Sequence, residues 1–269
     1  MKITALHIYP VKSLGGFSVP SAVLTSKGLQ YDRNWMILDN DNTFMTQRTV
    51  PAMTQILTRI EDGKLHFRHR PTGKTASIPI QKNYGKNFPS KVWSNDCGVQ
   101  RVGDEIDAYL TEVLGQKCSL VFLPEENIRT KTTKDGTIKN IASFADKSPI
   151  SVANEASMAH FNKKLDQPVP INRFRANLIF TGTKAFEEDE WTQINLGGVE
   201  CNKVELCGRC NLINTDQFTG KIHSEPLKIL TTFRRDATDR QVKFGVRFSC
   251  EVPVGKAPVI SVGDDFEVV

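Results

Sequence analysis

Cys207-Gly208-Arg209-Cys210 sets two thiols and a guanidinium within four residues, directly after residues 199–206, which alternate like a strand. A thiolate beside a guanidinium has a lowered pKa, because the cation favours the charged form. Such a thiolate is also a soft ligand for a transition metal. The stretch therefore offers either a metal site or a redox site.

Four readings compete for the pair. A thioredoxin-type couple needs Cys-x-x-Cys at the start of a helix, whose N-terminus stabilises the thiolate. Residues 211–214 read as a strand instead. A structural zinc site needs two further ligands at short spacing, and the other cysteines stand alone, with no His-x₃₋₅-His pair. Cys201, Cys207 and Cys210 are spaced C-x₅-C-x₂-C, one residue off a plant-type iron–sulfur pattern, with Cys250 as a distant fourth ligand. The strand-like run before Cys207 speaks against an irregular cluster loop. In the fourth reading both are buried core cysteines, which Gly208-Arg209 opposes, since a charged side chain in a glycine turn suits a cleft mouth.

A second set of candidates is cationic. Lys12-Ser13 follows the strand-like residues 8–11, with Gly15-Gly16 just beyond. Ammonium, hydroxyl and backbone amides together can hold phosphate, although the Walker spacing is absent. Arg33 sits in Tyr31-Asp32-Arg33-Asn34-Trp35, where Asp32 can orient it, and Arg173 and Arg175 open a strand. Taken singly, each reads as a solvated surface charge. The acidic run at residues 187–190 reads as a solvated helix start or loop. No histidine pairs with a cysteine or carboxylate at an interpretable spacing.

The elements that must position these groups are mostly strands. Residues 34–38 and 44–47 flank the turn Asp39-Asn40-Asp41-Asn42. Residues 55–60 and 64–67 flank Glu61-Asp62-Gly63, whose Asp-Gly pair supplies the positive φ of a tight hairpin. Residues 75–80 follow a turn at 70–73. Asp104 caps a helix with the stripe Ile106, Leu110, Val113 and Leu114, ending at Gly115. Residues 118–123 form a strand, and residues 124–146, with Lys131, Lys134 and Lys139, form a long loop or lid near a domain boundary. Beyond it, strands are expected at 149–152, 175–180, 193–196, 199–206, 242–250 and 259–269, with helices at 154–165 and 225–235. The fold class is mainly β (α+β): two β-rich domains with a few helices, not a doubly wound sheet.

Composition says little about the partners. The 269 residues are 39% hydrophobic and 24% charged, as in an ordinary globular protein. A net charge of +5 is a mild excess that suits an anionic small molecule or cofactor as well as nucleic acid, so it discriminates little. Neither a nucleic-acid polymer nor a membrane is expected as a partner. The start alternates like a strand and lacks a long apolar core, so no leader is expected. The cysteines then default to reduced thiols in the cytoplasm.

Taken in order, several motifs resemble those of the MOSC proteins. They are Ile8-Tyr9-Pro10-Val11-Lys12-Ser13, Asp32-Arg33-Asn34-Trp35, Ser148-Pro149 with Asn154-Glu155-Ala156-Ser157, and Asn172-Arg173-Phe174-Arg175-Ala176-Asn177. Cys207-Gly208-Arg209-Cys210, followed by Asn214-Thr215-Asp216 and Thr219-Gly220, completes the set. The likeness is to the mitochondrial amidoxime-reducing component and to bacterial relatives that detoxify N-hydroxylated bases. It implies an N-terminal β-barrel domain at 1–120, a MOSC β-barrel domain at 121–269, and a molybdopterin-type molybdenum cofactor. By the same resemblance Cys210 is the molybdenum ligand and catalytic residue, and Lys12, Ser13 and Arg33 surround the pterin and its phosphate. Ser148, Arg175, Asn177, the Gly208-Arg209 backbone and Arg247 line the rest. The implied activity is reduction of small N-hydroxylated or N-oxide substrates. The electron donor would be a separate ferredoxin-like, flavin or cytochrome protein, with no iron–sulfur cluster in this chain. The family also carries a pyridoxal phosphate-binding label. Gly208, Lys147 and Arg247 stand where the mitochondrial proteins have serine, threonine and tyrosine, which bears on substrate choice. Two other functions remain open: a sulfur or cofactor carrier using Cys210, and a non-enzymatic module that binds a phosphorylated ligand.

Overall fold

The computed structural model describes every residue except 128, 133–135 and 137–138. Its first half runs through β1 (Lys2–Ile8), β2 (Phe17–Val19), β3 (Ser21–Thr25), β4 (Gly28–Leu29), β5 (Trp35–Asp39), β6 (Ile56–Glu61), β7 (Lys64–His69), β8 (Thr75–Pro79), β9 (Asn87–Val92) and β10 (Asn95–Arg101). Next come α1 (Asp104–Leu114), β11 (Cys118–Phe122), β12 (Arg129–Thr132), β13 (Lys139–Ala142), β14 (Ile150–Asn154), α2 (Glu155–Asn162) and β15 (Leu178–Thr181). The chain ends with β16 (Gln193–Leu196), β17 (Val199–Arg209), α3 (Glu225–Arg234), β18 (Val242–Cys250), β19 (Val259–Ser261) and β20 (Glu267–Val268). The mainly β class read from the sequence holds.

The central element is an eight-stranded sheet in the order β2-β1-β15-β14-β18-β17-β16-β20. It is antiparallel except where β14 runs parallel to β15. Its first two strands come from the opposite end of the sequence to the other six. Apolar side chains from both regions, including Ile3, Leu6, Leu24, Ile150, Phe180, Trp191 and Val246, share one buried cluster. A second cluster joins α2 and α3 to the sheet through Phe161, Phe174, Leu230 and Phe244. The N-terminal region packs its own core from the sheets β5-β11-β10-β9 and β6-β7-β8 around Trp35, Ile37, Met53, Phe67, Leu110 and Leu120.

The local departures from the sequence reading have physical causes. Residues 44–47 contribute only an isolated bridge, Phe44 to Leu38, because Met45 turns inward and the chain then bends into a short 3-10 turn at Pro51–Gln55. The hairpin of β9 and β10 went unread because both strands are largely polar and β9 contains Pro89. Gly103 occupies the cap of α1, and Asp104 is its first residue. The run Glu187–Glu190 is a 3-10 turn whose Glu188 is fully buried, not solvated. Its carboxylate accepts from Ser157 Oγ at 2.7 Å and Asn154 Nδ2 at 3.0 Å. Part of the expected loop or lid is the hairpin of β12 and β13, while Lys134 lies outside the described residues. Cys201 and Cys250, directly opposed on β17 and β18, form a disulfide, contrary to the expectation of reduced thiols. No helix among the described residues is long and apolar enough to cross a membrane.

Candidate functional site

One pocket collects all ten residues singled out above: Lys12, Ser13, Arg33, Ser148, Arg175, Asn177, Gly208, Arg209, Cys210 and Arg247. Most converge because the strands carrying or flanking them are neighbours in the central sheet, while Arg33, just before β5 of another sheet, is brought in beside the bridge between Val11 and Trp35. A row of paired residues crosses the central sheet at the site. Asn177, just before β15, bonds Ser151 on β14; Ser151 pairs with Arg247 on β18; Arg247 pairs with Glu205 on β17. The register of β17 shifts between Lys203 and Glu205 and again between Leu206 and Gly208. Such bulges bend a strand and re-aim its side chains. Opposite them, Gly245 has φ +73, and a Cβ there would lie 2.5 Å from the Val152 carbonyl oxygen, so this turn of β18 needs glycine.

The two cysteines part company in this geometry. Cys207 is fully buried within β17, whereas Cys210 is half-buried at the strand's end. Residues 211–214, read as a strand, form a 3-10 turn instead. Four residues of 3-10 turn are not the α-helix a thioredoxin-type pair requires, so that reading fails for a different reason than the sequence suggested. The iron–sulfur set fails too, since Cys201 and Cys250 are bonded to each other. The cation against the Cys210 sulfur is Arg48, with Nη1 at 3.8 Å. Arg209 donates to the carbonyls of Phe174 and Phe244 at 2.7–2.9 Å and lies over the Phe174 ring.

The cations expected on the surface are buried instead. Lys12, Arg173 and Arg175 are each less than a tenth exposed. Lys12 Nζ donates to the Phe144 carbonyl at 2.9 Å and pairs with Asp146. Burial alone would lift the Asp146 carboxyl, but Lys12, the Trp93 indole and Arg48 hold it well below the usual carboxylate range. Arg173 ties the segment after Cys210 in place, donating to Asp216 Oδ2 at 3.0 Å. Burial, followed by the like charge of Arg33, pulls Arg175 down to about 10, so it stays protonated at neutral pH. Ser13, Arg33 and Arg175 all have φ between +51 and +67. Left-handed backbone costs a non-glycine residue roughly 1–2 kcal/mol, and such outliers gather at ligand clamps. Here three of them feed one pocket.

Three buried donors of lining residues lack a hydrogen-bond partner among the described residues: Ser148 Oγ, Arg173 Nε and Arg175 Nη2. Native proteins rarely leave such groups without a water, an ion or a ligand to meet them. The sequence reading missed Arg48, Asp146 and Glu205. Arg48 follows a segment misread as a strand, Asp146 lies in the expected loop, and Glu205 looks like an ordinary polar position of an alternating strand. Glu205 accepts from Arg247 at 2.6 Å and Lys147 at 2.9 Å, joining two of the three positions at which the sequence resemblance implied a departure. At the third, Gly208, a Cβ would meet the Gln241 amide oxygen at 2.0 Å.

The sequence matches the MOSC N-terminal beta barrel domain over residues 1–117 and the MOSC domain over residues 139–267. It is 31% identical to mitochondrial amidoxime reducing component 2 of Bos taurus, over 97% of this chain and 81% of that protein. The chain belongs to the MOSC family. Identity to the human amidoxime reducing component 2 is 28%, over 97% of this chain and 82% of that one. A second kind of relative is the molybdenum cofactor sulfurase of Oryza sativa, 30% identical over 93% of this chain, which spans only 32% of the sulfurase. The boundary between the two MOSC-family domains falls in sequence, not in the central sheet. β1 and β2 belong to the first domain match, yet they pair within the sheet built by the second.

Proposed function

We propose that this protein is a molybdenum-cofactor-binding oxidoreductase that reduces N-hydroxylated or N-oxide compounds, with Cys210 as the metal's protein ligand. The observation that carries the reading is one pocket holding a half-exposed thiol, buried cations and three donors unpartnered among the described residues. A phosphorylated dithiolene fits this donor set: Lys12, Arg33, Arg175, Ser13 and Ser148 suit its anionic end, and Cys210 offers a soft ligand to its metal. Among the described residues no group of three or more His, Cys, Asp or Glu could hold a bare metal ion. A metal at Cys210 therefore arrives with other ligands of its own.

When bound, the cofactor supplies the two-electron couple that reduces an N–O bond. The chain's part is to position and shield. Arg48, stacked over Trp93 at 4.7 Å, keeps a positive charge against the Cys210 sulfur. Asn177 fixes Ser151 in the lining, and Arg173 fixes the turn that carries Asp216. Glu205 holds Lys147 and Arg247 together at one side of the pocket. Electrons would come from a separate ferredoxin-like, flavin or cytochrome protein.

The test is direct. Protein purified from a molybdenum-replete host should contain the metal, show about three sulfur neighbours by X-ray absorption, and reduce benzamidoxime with an artificial donor. Absence of both metal and activity would sink the proposal, and a Cys210→Ala variant that keeps the metal would move the ligand elsewhere. The likeness to a cofactor sulfurase favours a second reading, in which Cys210 carries sulfur as a persulfide. Intact-mass measurement separates the two: a thiol-labile gain of one sulfur atom supports the carrier.

A further inference from the structure

Tyr9 is buried beside the pocket without lining it. Two guanidiniums pack on its ring: Arg33 with its central carbon 4.5 Å from the centroid and Arg175 at 4.3 Å. The pair is bound together elsewhere as well, since Arg33 Nη2 donates to the Arg175 carbonyl at 2.9 Å. Asp32 locks the unit, accepting the Tyr9 backbone N–H at 2.9 Å on one oxygen and Arg33 Nη1 at 2.5 Å on the other. Two like charges this close repel each other, and both residues sit in left-handed backbone. Asp32 compensates one charge; the face of an aromatic ring can compensate both, because its quadrupole attracts cations. Gly16 makes room for the arrangement, as a Cβ there would lie 2.4 Å from the Tyr9 ring.

We infer that Tyr9 is a positioning residue whose ring holds Arg33 and Arg175 together as a two-armed clamp for a phosphate group. The inference rests on the reading of the pocket as a site for a phosphorylated ligand. It predicts that clamp strength follows the electron density of the ring, not the phenolic hydroxyl or the space the ring fills.

Inorganic phosphate is the probe, with affinity measured by calorimetry on the purified full chain. Tyr9→Phe should bind as the unsubstituted protein does. Replacing residue 9 with phenylalanines of increasing fluorination keeps the shape but drains the ring face, and affinity should fall stepwise to about tenfold weaker. Tyr9→Leu should lose at least as much. If it does not unfold cooperatively, the fluorinated series decides alone. No phosphate binding to the unsubstituted protein would sink the pocket reading and this inference together. Phosphate binding that ignores fluorination would overturn this inference alone.

Discussion

Ser148 shows how little a single side chain here contributes to the fold. Its buried hydroxyl has no partner among the described residues, and leaving such a group unsatisfied costs about 1–3 kcal/mol. Ser148→Ala should therefore leave stability unchanged or raise it by up to about 1 kcal/mol in urea titrations, while weakening phosphate binding. A loss of more than about 1 kcal/mol would mean that the hydroxyl serves the fold after all. Glu205 behaves oppositely. Burial would lift its carboxyl, but Arg247 and then Lys147 hold it below the usual range. A carboxyl depressed in the folded state stabilises it above the unfolded pKa, and that contribution drains away as pH falls through the folded value. Glu205→Gln should be less stable than the parent at pH 7, and the gap should begin to narrow as pH falls through the unfolded carboxylate range, about 4, closing only below the depressed folded value. A gap that stays constant with pH would assign the effect to packing.

At the scale of elements, β17 and β18 carry Cys207, Gly208, Arg209 and Arg247 of the pocket and are joined by the Cys201–Cys250 disulfide. Thiol titration of the denatured protein without reductant should find four thiols, those of Cys97, Cys118, Cys207 and Cys210. Reduction should lower stability by roughly 2–4 kcal/mol, and finding six thiols without reductant would refute the bond. The sequence showed these strands clearly, because period-two alternation and glycine turns are local signals. It showed the members of the pocket through their order along the chain. It hid what depends on distant neighbours. Lys12 and Arg175 look like surface charges until Asp146, Phe144 and Tyr9 are brought beside them. Glu188 looks solvated until Asn154 and Ser157 reach it. The disulfide was invisible because 49 residues separate its ends.

Over the whole molecule, the two matched regions are not two independent folds. Ile3 and Leu6 of β1 are buried in a cluster whose other members lie mostly beyond residue 150. A fragment of residues 1–117 would expose that face, so it should show no cooperative unfolding transition by circular dichroism. A sharp transition at the full chain's midpoint would contradict this. The same pairing constrains how the protein is made. Lys2 pairs with Thr181, and the amino group of Met1 donates to the carbonyl of Phe266. At about 5–20 residues per second, the first strand waits on the order of ten to forty seconds for its partner to be synthesised. Throughout that interval Ile3, Leu6 and Ile8 lack their sheet, and a holding chaperone would find in them its earliest client segment.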